Sequence, residues 1–83
     1  MKVRVRYFAS LREALGAGET VELPAASTLG ALRDALVARG GRHAEVLARG
    51  RAVRSALDQV MSDESVPLRD GAEAAFFPPV TGG

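Results

Sequence analysis

From Lys2 to Phe8 the chain alternates. Val3, Val5 and Tyr7 fall on one side, and Lys2, Arg4, Arg6 and Phe8 on the other. A period of two marks a strand with one buried face. Ser10 followed by Glu13 has capping-box spacing and predicts a short helix running to Leu15. Gly16-Ala17-Gly18 closes it. Alternation returns over residues 19–23, with Val21 and Leu23 inward and Pro24 as the stop. Ser27 or Thr28 then stands as N-cap for a segment in which Leu29, Leu32, Ala35 and Leu36 recur at helical spacing, up to Gly40-Gly41. This is the one long amphipathic helix, about three turns, and its apolar stripe is the natural cover for a sheet. Beyond it, residues 43–49 predict a helical turn ended by Gly50. Residues 52–60 predict a third strand with poor alternation, Asp63-Glu64-Ser65 and Asp70-Gly71 predict turns, and residues 72–77 a last strand.

The order strand, strand, helix, strand, strand places one main helix on a mixed sheet of four or five strands. That is an α+β roll of the β-grasp (ubiquitin-like) type. It occupies residues 1–77, with residues 78–83 as a flexible C-terminal tail. The chain shows no internal repeat and no linker long enough to divide it.

Parity then exposes a conflict. Phe76 and Phe77 are neighbours on a strand and face opposite sides. A sheet with one helix buries only one side with its own material. One of the two phenylalanines therefore belongs to the open face. Phe8 shares its side with Lys2, Arg4 and Arg6, which seek water. Val60-Met61 repeats the problem, since both cannot point inward from one strand. Phe8, Met61 and Phe77 are expected to form an apolar patch on the uncovered face, at the root of the tail, and exposed apolar clusters mark partner sites.

Composition narrows the function more than it names one. Eighty-three residues form a small domain with a thin core, a poor setting for a deep active site of its own. The net charge of +1 gives no case for nucleic acid or an anionic membrane. The ten arginines are scattered among acidic residues and read as a solvated surface. No apolar run approaches the ~20 residues of a membrane helix, and the alternating N-terminus is no signal peptide. A cytoplasmic protein is expected. There is no cysteine, hence no disulfide framework, thiolate zinc site or thiol nucleophile. His43 is the only histidine, and metal sites need three or four donors. It reads as a surface residue, and no metal site is expected.

The C-terminal end carries the sharpest signal. Pro78-Pro79 stiffens the chain, and Gly82-Gly83 removes all side-chain bulk from its tip. Fully extended, residues 78–83 reach roughly 20 Å at about 3.3 Å per residue. A stiff spacer with a thin tip suits a terminal carboxylate that must enter a narrow pocket of another protein.

The segment Pro67-Leu68-Arg69-Asp70-Gly71-Ala72-Glu73-Ala74-Ala75-Phe76-Phe77-Pro78-Pro79-Val80-Thr81-Gly82-Gly83 resembles the C-terminal signature of the MoaD-type ubiquitin-like sulfur carriers, the small subunits of molybdopterin synthase. Val5-Arg6-Tyr7-Phe8-Ala9-Ser10-Leu11-Arg12-Glu13 is similar to that family's opening strand and helix, and the helix beginning at Thr28-Leu29 to its central element. The resemblance spans essentially the whole chain and is generic only over residues 40–56. Two departures are local: Gly71-Ala72-Glu73-Ala74 stands where Gly-Asp-Glu-Val is usual, and Asp58 where Asn is common.

The resemblance implies a carrier and not a catalyst. A partner adenylyltransferase would consume ATP and Mg²⁺ to convert the Gly83 carboxylate to an acyl-adenylate, and a sulfur donor would then give a thiocarboxylate on Gly83. No cofactor would be held permanently. The loaded tail would enter the large, catalytic subunit of the synthase, where sulfur passes to cyclic pyranopterin monophosphate during molybdenum cofactor biosynthesis. Gly82 and Gly83 would keep the tip thin, Val80 and Thr81 would contact the channel walls, and Pro78 and Pro79 would reduce the ordering cost of insertion. Phe77, Phe8 and Met61 would form the partner interface. Alternative readings are a sulfur carrier for thiazole or cysteine biosynthesis, a ubiquitin-like protein modifier, and an interaction module with an inert tail.

Overall fold

A computed structural model describes residues 1–79. The chain runs β1 (Lys2–Tyr7), α1 (Ala9–Leu15), β2 (Gly18–Glu22), α2 (Leu29–Val37), α3 (Gly41–Leu47), β3 (Arg54–Leu57), β4 (Val60–Met61) and β5 (Glu73–Phe77). The five strands form one mixed sheet in the order β2-β1-β5-β3-β4. The β1 and β5 strands are parallel, and the other neighbours antiparallel. With the helices on one side of this sheet, the architecture is the α+β, β-grasp roll that the pattern predicts.

The alternation in β1 is realised residue by residue: Val3, Val5 and Tyr7 are buried, and Lys2, Arg4 and Arg6 are exposed. Across the sheet Val5 stands opposite Ala74, and Tyr7 opposite Phe76. Their side chains meet Leu29, Leu32 and Leu36 of α2 in one core, which Leu11 of α1 and Leu47 of α3 extend. Burial of such side chains at roughly 25 cal/mol per Å² of apolar surface is the main force holding helix to sheet. Thr28 caps α2, its hydroxyl accepting a hydrogen bond from the Ala31 amide at 3.1 Å.

Three local expectations give way. The Ser10–Glu13 capping box does not form, because α1 starts two residues earlier, with Phe8 as its N-cap. Pairing keeps the chain extended up to that point: the Phe8 amide donates to the Phe76 carbonyl at 3.2 Å, so Ser10 already lies inside the helix. Gly40-Gly41 is more than a stop. Gly40, at φ 74°, opens α3, which runs as a full helix over Gly41–Leu47 instead of a turn at 43–49. The strand expected over 52–60 is split, with Asp58 and Gln59 both left-handed (φ 47° and 69°), so that β3 folds back as β4. A two-residue loop with both φ values positive matches the twist of antiparallel strands.

Gly18 marks a close approach. A Cβ there would sit 2.3 Å from the Val5 carbonyl oxygen, so β2 enters its pairing with β1 only without a side chain at this position.

Arg33 corrects the reading of the arginines as a solvated surface. It is 4% exposed. Its Nε donates to the Leu47 carbonyl at 2.7 Å, and one terminal nitrogen donates to the carbonyls of Ala48 (2.7 Å) and Arg51 (3.0 Å). The other meets the Glu64 carboxylate at 2.7 Å. One guanidinium thus satisfies the carbonyls at the end of α3 and ties two loops to α2.

Candidate functional site

The uncovered face of the sheet is built from the alternate residues of the same strands. Arg4, Arg6 and Phe8 come from β1 and the residue after it, and Glu73, Ala75 and Phe77 from β5. On β3, Ala56 pairs with Ala75, and on β4, Met61 pairs with Ala56. The two small residues are buried and form a floor. Phe8, Met61, Phe77 and Pro78 stand around it, enclosing a groove of about 520 Å³ together with Arg6, Ala9, Gln59 and Glu73. The structure thus brings together the three apolar residues that parity leaves on this face. Phe8 is 37% and Met61 57% exposed, and Phe77 is half-buried beside the fully buried Phe76. Val60, paired with Leu57 on the opposite side of β4, is exposed as well.

The rims of the groove are held in unusual backbone. Ala9 has φ 53° and Gln59 φ 69°, a region that residues with a Cβ seldom adopt. Such conformations persist only where surrounding contacts impose them. On the Gln59 side the anchor is Asp58. Its carboxylate accepts from the Glu73 amide at 3.0 Å and from Arg69 at 2.8 Å, while its own amide donates to the Glu73 carbonyl at 2.8 Å. The backbone hydrogen bond from Glu73, with the Arg69 and Arg4 charges, holds the Asp58 carboxyl below its ordinary range. On the Phe8 side the Arg6 guanidinium lies 5.1 Å from the Phe8 ring centroid, within cation–π range.

The chain leaves β5 at the groove's edge. Pro78 lines the groove, and Pro79 is half-buried. Val80, Thr81, Gly82 and Gly83, the remaining tail residues singled out by sequence, lie outside the described residues. Among the described residues that line the groove, the ionisable groups are Arg6 and Glu73 and there is no nucleophile, so what the groove offers is an apolar surface with a charged rim. The residues that parity alone does not find are Ala9 and Gln59, whose placement depends on turns that carry no glycine. Ala56 and Ala75 were legible as small residues on strands but not as a floor, because that role appears only once β3 is paired with β5.

A second polar cluster lies on the covered side. Glu19, in register with Val5, accepts the Tyr7 hydroxyl at 2.7 Å, contacts His43 Nε2 at 2.8 Å and pairs with Arg39. His43 is therefore not the free surface residue that its Gly/Arg surroundings suggest but a half-buried partner of Glu19, with its ring edge-on to Tyr7. Burial pushes the Glu19 carboxyl up, but hydrogen bonds from His43, Tyr7 and Arg39 outweigh it and hold the pKa at about 2. Burial and the bond to Glu19 push the Tyr7 phenol well above its usual range. Among the described residues, no group of three or more His, Cys, Asp or Glu side chains is gathered as a metal ion requires. No helix there is long and apolar enough to cross a membrane.

Comparison with known proteins adds a lineage to this geometry. Residues 5–83 match the model of the ThiS family. The chain is 40% identical over 81 residues to the molybdopterin synthase sulfur carrier subunit of Escherichia coli K12, covering 98% of this chain and 99% of that one. Among solved structures it is similar to a complex of subunits 1 and 2 of the molybdopterin-converting factor from Helicobacter pylori, at 28% identity and a TM-score of 0.71 with both chains fully covered. It is similar also to SAMP1, a small archaeal modifier protein from Haloferax volcanii, at 25% identity and a TM-score of 0.80, again with full coverage of both. A family model that runs from the first strand to the last glycine, and a relative matched almost end to end, show that this chain belongs to the ThiS family.

Proposed function

We propose that this chain is the sulfur-carrying small subunit of molybdopterin synthase, non-catalytic by itself. The observation that carries the reading is the 40% identity to the Escherichia coli sulfur carrier subunit over nearly the full length of both chains. The exposed groove at the root of the tail supports it, because it offers a surface on which a partner can seat while residues 78–83 reach inward. That the neighbour from Helicobacter pylori is a two-subunit complex fits a large subunit as that partner.

The chemistry assigned to Gly83 follows from the poor electrophilicity of a carboxylate. A partner adenylyltransferase transfers AMP from ATP, with Mg²⁺, to the terminal carboxylate and releases pyrophosphate. A sulfur donor then displaces AMP, which leaves a thiocarboxylate on Gly83. The tail delivers that sulfur to cyclic pyranopterin monophosphate within the large subunit and returns as a carboxylate. Pro78 and Pro79 reduce the chain entropy lost on insertion, Val80 and Thr81 meet the channel walls, and Gly82 and Gly83 leave room for backbone alone. Phe8, Met61 and Phe77 form the docking patch. With nothing in the described chain to hold it in a membrane, the cytoplasm, where ATP is at hand, is the compartment proposed.

The test is the intact mass of the protein after incubation with its cognate adenylyltransferase, ATP, Mg²⁺ and a sulfur donor. Replacement of one oxygen by sulfur, localised to Gly83 by fragmentation, is expected. Failure to load overturns the reading. The similarity to SAMP1 keeps a second outcome in view: an isopeptide between Gly83 and a lysine of another protein would make the chain a modifier.

A further inference from the structure

Two exposed arginines stand at the apolar groove: Arg6 lines it, and Arg54 lies beside Phe77 just outside its lining. Arg6 stands opposite Ala75 across the β1–β5 pair, and Arg54 opposite Phe77 across the β3–β5 pair. Both are exposed on the uncovered face. Of the other exposed arginines, Arg4 is matched by Glu73, Arg39 by Glu19, Arg49 by Asp34 and Glu64, and Arg69 by Asp58, whereas Arg12 of α1, Arg42 of α3 and Arg51, none of them on a strand of the open face, are in no ion pair among the described residues. Among the described residues no carboxylate pairs with Arg6 or Arg54. Arg6 is instead laid against the Phe8 ring, an attraction that strengthens when water is removed from it. The Gln59 rim is fixed by the Asp58 hydrogen bonds, so the groove is preformed and does not need to fold around its occupant. Glu73, the one carboxylate in the described lining, is already matched by Arg4, and an apolar centre flanked by the two remaining cations is complementary to one kind of surface and repels another.

We infer that the surface seated on this groove is acidic around an apolar anchor, with carboxylates of the partner pairing Arg6 and Arg54 while an apolar side chain fills the space over Ala56 and Ala75. The inference rests on the functional reading above, under which that partner is the large synthase subunit. Charges at the rim act chiefly by steering encounter and rejecting wrong partners, and the apolar centre holds the complex once formed. Association therefore depends on these two arginines, and the dependence fades as salt shortens the screening length from about 10 Å at 0.1 M to about 3 Å at 1 M.

The experiment measures association of the full-length chain with the large subunit encoded in the same genome, by stopped-flow at low and high salt. The Arg6→Glu/Arg54→Glu double variant is expected to associate at least roughly ten-fold more slowly at low salt and to lose most of the wild-type salt dependence. The neutral Arg6→Gln/Arg54→Gln variant is expected to fall between, which guards against a folding defect in the reversed pair. Arg42→Glu, a single charge reversal on α3 across the sheet, is expected to leave the rate within about two-fold, and less changed than either single reversal at Arg6 or Arg54, since long-range steering fades beyond a screening length. If both double variants associate at the wild-type rate, the inference falls and the functional reading stands, because the wild-type complex has formed. If the wild-type chain does not bind the large subunit at any salt, the functional reading falls with it. Salt-dependent self-association of the chain alone, lost in the double variant, would make a second copy the occupant and overturn the acidic-partner assignment.

Discussion

Phe76 and Phe77 are one peptide bond apart and live in different worlds. Phe76 is fully buried between Tyr7 and the leucines of α2, whereas Phe77 looks onto the groove. The same contrast holds for the whole sheet. On the covered face polar groups are few and completely paired, and no buried side-chain polar atom lacks a partner among the described residues. On the open face aromatic rings, a methionine and unpaired arginines share an exposed surface. Two identical side chains therefore have opposite duties. One fills the core of its own chain, and the other lines the groove on the open face.

The largest effect expected from breaking this contrast is on its buried side. Phe76→Ala removes a ring from a closed core and should cost about 3–5 kcal/mol, enough to unfold much of so small a domain, as read by chemical denaturation. Arg33→Ala should follow at about 3 kcal/mol, because in one step it strands the carbonyls of Leu47, Ala48 and Arg51 and leaves the Glu64 carboxylate with Arg49 alone. The same assay checks it, and Arg33→Lys, which cannot reproduce the fork, should recover little. Phe77→Asp should change stability by less than about 1 kcal/mol yet abolish binding to the large subunit by titration. A large loss of stability would instead place Phe77 in the core. The smallest effect concerns acid. The Glu19 pKa of about 2 in the folded chain lies below the ordinary 4.5. Its contribution is therefore present above about 4.5 and is lost as pH falls towards 2. Glu19→Gln should flatten the fall of the melting temperature across that window and leave the docking groove unaffected.

What the sequence made legible follows the same division. Strands β1 and β2 and helix α2 carry clear periodicity, because one face of each is buried against the same core. The β3–β4 hairpin carries almost none. Asp58-Gln59 turns through two left-handed residues without the glycine that would announce it, and β4 has only two residues, both exposed. Arg33 was hidden by its charge, although its position had a signal. It falls four residues after Leu29 and three before Leu36, on the buried stripe of α2. The apolar members of the groove were readable by parity. Its shape was not, since it depends on the pairing of Ala56 with Ala75 between strands distant in sequence.

The parallel pairing of β1 with β5 has a consequence for how the protein comes to be made. The strand at the centre of the sheet follows the other four along the chain, and its parallel partner is the first of them. Until residues 73–77 emerge, β1 holds only β2, and the leucines of α2 have no Phe76 to close upon. Contacts between strands so far apart in sequence are slow to form, so the core closes only once β5 has been made. A partner that seats on Phe77 would thus find the groove only on chains whose core has closed. The order of the strands along the chain would keep incompletely folded copies from being engaged.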